Sequence, residues 1–425
     1  MRRLSARILP AYVIIDLMSI HSQQSRIVIH DFAGYSFQAQ LSRNLAKRGY
    51  AVTHQYCASS PAGQGSLTLL PSDAQTLTFD PIFLSSSFQR YTAHRRVVQE
   101  VAYAHKVGRS IRRISPDLVI GSNLPLLANA LVVWQLRWSR IPYIFWQQDI
   151  YSRGVSEVAR SHFRVALRPI TAIATAVERY VARHSARVIP IAATFLPTLR
   201  EWKLEMEKVT PIGNWAPIDE IVPRPKSNAW AKSMNLESRP CVIYTGTLGL
   251  KHDPSILAEL AQFLEEHRHD DACVVVISEG RGRDWLESWK SDNAGDNLLL
   301  LDYQPYETLP DVLGTADLLI ATLEPSASNY SVPSKILTYM AAGRPTVALL
   351  PPENPAAVMI RSSGAGVTID PDQRRAFFSV INELLDDPHM RQCYGSAARK
   401  YTESHFDIGV ITDQFEDVFK PLLAE

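Results

Sequence analysis

"RIVIHDFAGYSFQAQLSRNLAKRGYAVTHQYC", residues 26–57, decides the architecture. "RIVIHDF" is a short run rich in β-branched residues, as a buried strand requires. "AGYSFQAQLSRNLAKRGY" follows, with apolar spacing that predicts a helix from about Ser36 and a stop at Gly49. "AVTHQYC" is a second strand. Strand, helix and strand with a glycine in the first turn form a βαβ unit, the building block of parallel sheets. Working outward, "PDLVIGSN" (116–123), "IPYIFWQQD" (141–149) and "ARVIPIA" (186–192) are further short buried strands, with helical patterns between them. The first half therefore reads as a parallel, doubly wound α/β sheet.

The pattern breaks over 208–240, where "KVTPIGNWAPIDEIVPRPKSNAW" has the proline and polar content of an interdomain linker. A second alternating series then begins. "CVIYTGTL" (241–248), "CVVVISEG" (273–280), "NLLLLDY" (297–303), "DLLIATL" (317–323) and "PTVALL" (345–350) are strands separated by helical segments. The chain is expected to hold two Rossmann-like domains, over 26–212 and 213–395. Residues 1–25 are expected to be a flexible or surface-lying leader, because Asp16 interrupts their apolar run and no small-residue cleavage site follows.

The 425 residues are 46% hydrophobic and 20% charged, enough for two cores. Cys57, Cys241, Cys273 and Cys393 form no Cys-x-x-Cys pair, which argues against a disulfide framework or zinc site and suits a reducing cytoplasm. No run reaches the roughly 18 apolar residues of a membrane span. A net charge of +1 conceals an asymmetry. Residues 1–220 carry 26 Lys and Arg against 14 Asp and Glu, whereas the remainder carries 18 against 29. The first half should face something anionic.

In open α/β sheets, ligands sit beyond the carboxyl ends of the strands. Four such ends in the second half carry suggestive residues. Gly246, Thr247, Lys251 and His252 follow the first strand, and Glu279 and Gly280 follow the second. Tyr303 follows the third, and "NYSVPSKILTYMAAGRP" (329–345) follows the fourth, opening a helix with Ser334 and Lys335. Free amides at a helix start and adjacent cations favour an anion. Together the four ends suggest a nucleotide diphosphate site.

These phrases, with "HDFAGYSFQAQLSRNLAKRGYAVTH" and "GNWAPIDE", resemble family 4 glycosyltransferases of the GT-B fold, in particular those of exopolysaccharide synthesis. The resemblance runs from Arg26 to the last helix. It implies two Rossmann-like domains facing across a cleft, with the segment 396–425 returning to the first. It also implies retaining transfer from a UDP- or GDP-linked sugar to a saccharide acceptor, polyprenyl-linked in this reading. Gly34 and Tyr35 would close over the diphosphate, with Lys251, Asp149 and Gln148 as the catalytic candidates. Asp149 also reads as a helix cap or a partner for Arg153. At Tyr330 and Thr338 the chain departs from the family, which carries glutamates there. Glu324 is a candidate substitute for one of them.

The sequence offers no Asp-x-Asp in a cleft position; "DPD" (370–372) reads as a surface turn. A leaving diphosphate would then rest on Lys251 and the "SVPSK" turn, with no metal and no cofactor beyond the donor itself. The lack of a carboxylate pair disfavours a glycosidase. An epimerase of the same fold and a silent nucleotide-binding scaffold are the alternatives. His30 and His54 read as core histidines. The basic segment 90–114 gathers Arg95, Arg96, Arg112 and Arg113 with too little aromatic interleaving for nucleic acid. It reads either as a solvated face or as a contact with the anionic inner face of the plasma membrane.

Overall fold

The computed structural model describes residues 24–60, 64–88, 93–161, 168–249, 252–268, 271–293, 295–327 and 331–424. Six parallel strands form the first sheet: β1 (Arg26–Asp31), β2 (Ala51–Cys57), β3 (Leu77–Ile82), β4 (Leu118–Ser122), β5 (Tyr143–Gln147) and β6 (Arg187–Pro190). Their order is β3-β2-β1-β4-β5-β6, with Ile27 facing Val52 on one side and Leu118 on the other. Ile27, Val28 and Ile29 are all fully buried, because helices cover both faces of the sheet.

The helices between these strands are α1 (Ser36–Lys47), α2 (Ala93–Ile114), α3 (Leu126–Ser139), α4 (Tyr151–Ser161) and α5 (Arg168–His184). The strand order reverses at β1, so right-handed crossovers put α1 on one face and α3 on the other. Helix α3 packs between α2 and α5.

The second sheet repeats this plan with β7 (Cys241–Thr245), β8 (Cys273–Ile277), β9 (Leu298–Leu301), β10 (Leu318–Thr322), β11 (Thr346–Leu349) and β12 (Gly366–Ile369), ordered β12-β11-β10-β7-β8-β9. The expected pair of doubly wound α/β domains is present. Two short helices, α6 (Leu196–Glu201) and α7 (Ala229–Ser233), precede this sheet. Around it lie α8 (Ser255–His267), α9 (Arg281–Asn293), α10 (Leu309–Thr315), α11 (Lys335–Ala341), α12 (Pro355–Ser363), α13 (Arg374–Asp386) and α14 (Pro388–His405).

The chain crosses between the halves twice. On the first crossing Trp215 is buried against Phe37, Trp146 and Phe415, and its Nε1 donates to Gln40 Oε1 at 2.7 Å. Arg399 fastens the following residues to the second half by donating to the carbonyls of Ile218, Ile221 and Ala341. The second crossing leads into α15 (Ile408–Leu423), which packs on α1 of the first half. There Arg48 holds Asp413 and Glu416 at 2.5 and 2.8 Å, and Phe415 meets Trp146 with ring centroids 4.8 Å apart. Among the described residues no helix is long and apolar enough to cross a membrane.

Candidate active site

The carboxyl ends of both sheets open on a cleft of about 780 Å³. From the second half, Gly246, Thr247, His252, Tyr303, Ser334 and Lys335 line it, with Thr338 beside them. Strand β7 is followed by Gly246, whose φ of +113° strains any residue with a Cβ. A Cβ there would also stand 3.2 and 3.3 Å from Cε and Nζ of Lys335.

Lys335 is the unusual group in this wall. Its Nζ lies 3.4 Å from the centroid of the Tyr244 ring and is buried, with no hydrogen-bond partner among the described residues. Burial holds the amine well below the ordinary lysine value of 10.5. A buried ammonium without an anion is costly, so the position favours a ligand that brings negative charge. Ser334 caps the start of α11 without a side-chain hydrogen bond, and that helix is only seven residues long. Thr247 Oγ1 and Tyr303 Oη are 2.7 Å apart, a hydroxyl pair fixed at the cleft wall.

Glu279 and Gly280 do not line the cleft. They brace it from behind: the Glu279 carbonyl accepts from Leu248 N at 3.2 Å, and Gly280 turns the chain at φ +97°. Glu324 faces a neighbouring cavity with Arg374 and Gln373, and burial raises its carboxyl above the usual range. Lys251 and Tyr330, both singled out from the sequence, lie outside the described residues.

In the first half, Asp31 at the end of β1 organises the glycine loop. Its carboxylate accepts from Ala33 N at 3.0 Å and from Tyr35 N at 2.5 Å. Asn123, beyond β4, donates to it at 2.9 Å. Burial nevertheless lifts this carboxyl to about 7. Gly34 turns at φ +76°, and Tyr35 is exposed on the cleft wall.

Gln148 and Asp149 also line the cleft. Gln148 is engaged with the linker, accepting from Asn214 Nδ2 at 2.6 Å and donating back at 3.4 Å. Arg153 pairs with Glu201. The start of α4 is capped from a distance by buried Glu178, which accepts from Tyr151 N and Ser152 N at 2.8 Å each. On the linker side Tyr306 donates to Glu220 at 2.7 Å.

Asp31, Asn123 and Glu178 were missed because their partners are remote or on the backbone. Arg96 needs a correction. Instead of sharing an outer basic face, it turns into the cleft, with Nε 2.7 Å from Glu100 Oε1 and the guanidinium over the Tyr151 ring. The signal was present: Glu100, four residues on, is the only acid in α2. Arg113 approaches Asp80 at 3.5 Å. His30 and His54 are buried, tied to Gln55, Tyr103 and Ser42, and burial lowers them to about 4 and 3. They stay neutral core residues. Among the described residues no three or more His, Cys, Asp or Glu gather as metal ligands.

Comparison with known proteins bears on this site. Residues 36–215 match the model described as glycosyl transferase 4-like domain, and residues 227–401 match that of glycosyl transferases group 1. A probable glycosyltransferase, WbjE, of Pseudomonas aeruginosa is 20% identical over 73% of this chain and 74% of its own. An alpha-D-kanosaminyltransferase of Streptomyces kanamyceticus is 22% identical over 44% of this chain, a match spanning only 47% of that relative's length. Among solved structures, HepE of Anabaena in complex with UDP-glucose superposes with a TM-score of 0.69 at 15% identity, covering 93% of this chain and 99% of its own.

Proposed function

The chain belongs to the family 4 glycosyltransferases of GT-B fold, and from that premise we propose that it transfers a sugar, with retention, from a nucleotide-diphosphate sugar to a lipid-linked saccharide of a cell-surface or exopolysaccharide pathway. The observation that carries the donor half of this reading is Lys335, a buried cation without an anion at the wall of the cleft. A diphosphate at Gly246 would supply that anion, and the missing Cβ leaves room for it. Lys251, by sequence, would add a second cation. The UDP-glucose held by the Anabaena structure supports a UDP-linked donor.

In transfer, negative charge grows on the β-phosphate as the glycosyl bond breaks. Lys335 and Lys251 would stabilise it electrostatically, and the phosphate oxygen would take the acceptor's proton on the same face. Asp149 would orient the acceptor hydroxyl from the other wall, and Tyr35 would close over the diphosphate. No metal is required in this scheme, so turnover should persist in excess chelator. The +12 charge of residues 1–220 supports an acceptor presented at an anionic membrane surface.

A thermal-shift panel of UDP, GDP and other nucleotides tests the donor claim. One nucleotide at 100 times its Kd should add about 2.7 kcal/mol of stability. That gain should vanish in Lys335→Ala, and turnover should fall roughly 10²–10³-fold. Binding and turnover that survive the substitution within threefold would overturn the assignment.

A further inference from the structure

The outer face of α2, α3 and α5 belongs to no site described so far. Val98 and Val101 on α2, Trp134 and Trp138 on α3, and Ile170 and Ile173 on α5 all stand exposed. Trp138 is 77% exposed, Val98 68% and Ile173 63%, too much apolar surface on one helical layer for a face meant only for water. The two tryptophans touch edge to face, with centroids 6.4 Å apart.

Charge on this layer is one-sided. The only acids in the three helices are Glu100 and Glu178. Both are buried and consumed in capping, Glu100 by accepting from Leu127 N and Glu178 from Tyr151 N. Arg109, Arg112, Arg137 and Arg140 are exposed, so the outer face presents cations and no carboxylate.

These groups are also ordered along the helices. Glu100 caps the first turn of α3, so the seven residues of α2 before it project about 10 Å past the sheet's carboxyl edge. By the same reasoning from Glu178, the ten residues of α5 before it project about 15 Å. Val98, Ile170 and Ile173 therefore stand on the cleft side of that edge. The tryptophans lie lower on α3, and Arg109, Arg112, Arg137 and Arg140 lie at or below their level. Gln135 Nε2 donating to the Ala104 carbonyl fixes α2 and α3 in that register.

We propose that the outer face of α2, α3 and α5 docks side-on on an anionic bilayer, with the mouth of the cleft at the edge of the contact. The inference rests on the membrane reading above and says which surface meets the membrane. Aliphatic side chains enter the boundary, tryptophans sit at headgroup level, and arginines reach phosphates. Arg96, turned into the cleft, takes no part. The absence of an exposed carboxylate on these three helices selects lipid phosphate over a neutral surface.

The test is co-sedimentation of the full chain with vesicles of phosphatidylcholine alone and of an equimolar mixture with phosphatidylglycerol. Wild type should bind the mixture and release with salt. A Trp134→Ser, Trp138→Ser, Ile173→Ser variant should bind at least about tenfold more weakly. An Arg109→Glu, Arg112→Glu, Arg137→Glu variant should lose about fivefold or more per position. Circular dichroism and thermal unfolding of both should match wild type. Wild type that ignores anionic vesicles overturns this surface and the membrane reading together. Wild type that binds while both folded variants bind equally well overturns the surface alone. A wild-type dimer that the serine variant makes monomeric assigns the face to a second copy and also overturns the proposal.

Discussion

At the scale of single residues, Lys335 sets function against stability. Burial holds its amine below 10.5, so between the depressed value and 10.5 the unfolded chain binds more protons than the folded one. Stability of the ligand-free protein therefore rises with pH across that window and levels off above it. Lys335→Met keeps the volume and removes the amine. It should raise the melting temperature at neutral pH, flatten the climb towards pH 10 and abolish the nucleotide-induced shift. A variant that melts lower and still responds to nucleotide would sink this account. Lys335 and Gly246 were legible as cleft-wall positions because four strand ends in succession carry glycines, cations or a helix start, although a glycine after a strand is by itself common punctuation. Asp31 was not, since its chemistry is spent on the amides of its own loop and on an asparagine 92 residues away.

At the scale of elements, the strands were legible because parallel strands covered on both faces read as unbroken apolar runs. Helix α2 was legible as a helix, but its basic residues read as one face when they occupy several. The turn of Arg96 inward follows from the 3.6-residue period together with Glu100, a pairing easily lost among so many arginines. Helix starts show why sequence underdetermines local structure: α3 and α4 are capped by glutamates from other helices, with no local signature. Glu178→Ala would leave the Tyr151 and Ser152 amides unmet in a buried place. It should lower stability by roughly 1–2 kcal/mol, read from the denaturation midpoint. Glu178→Gln, which keeps an acceptor, should recover part of that loss. Equal destabilisation by both would show that the negative charge, not the acceptor, matters.

At the scale of the whole molecule, two crossings tie halves of opposite charge into one cleft. The linker between them was visible in its prolines, whereas the partners that fix it, Gln40 for Trp215 and the carbonyls for Arg399, emerge only from the assembled fold. The return of α15 has a consequence for synthesis. Phe415 supplies the ring that closes over Trp146 and Trp215, so the first half reaches the ribosome exit early yet lacks a piece of its own core. That half must wait, with two tryptophans partly uncovered, until α15 has been made. The helix packing of α15 is on α1 of the first half. A chain ending at residue 406 should therefore lose the first half's cooperative unfolding step and bind a hydrophobic dye, while the second half still melts as before. In the cell the nascent first half would be the client of chaperones, and the order in which the domains mature would be the reverse of the order in which they are made.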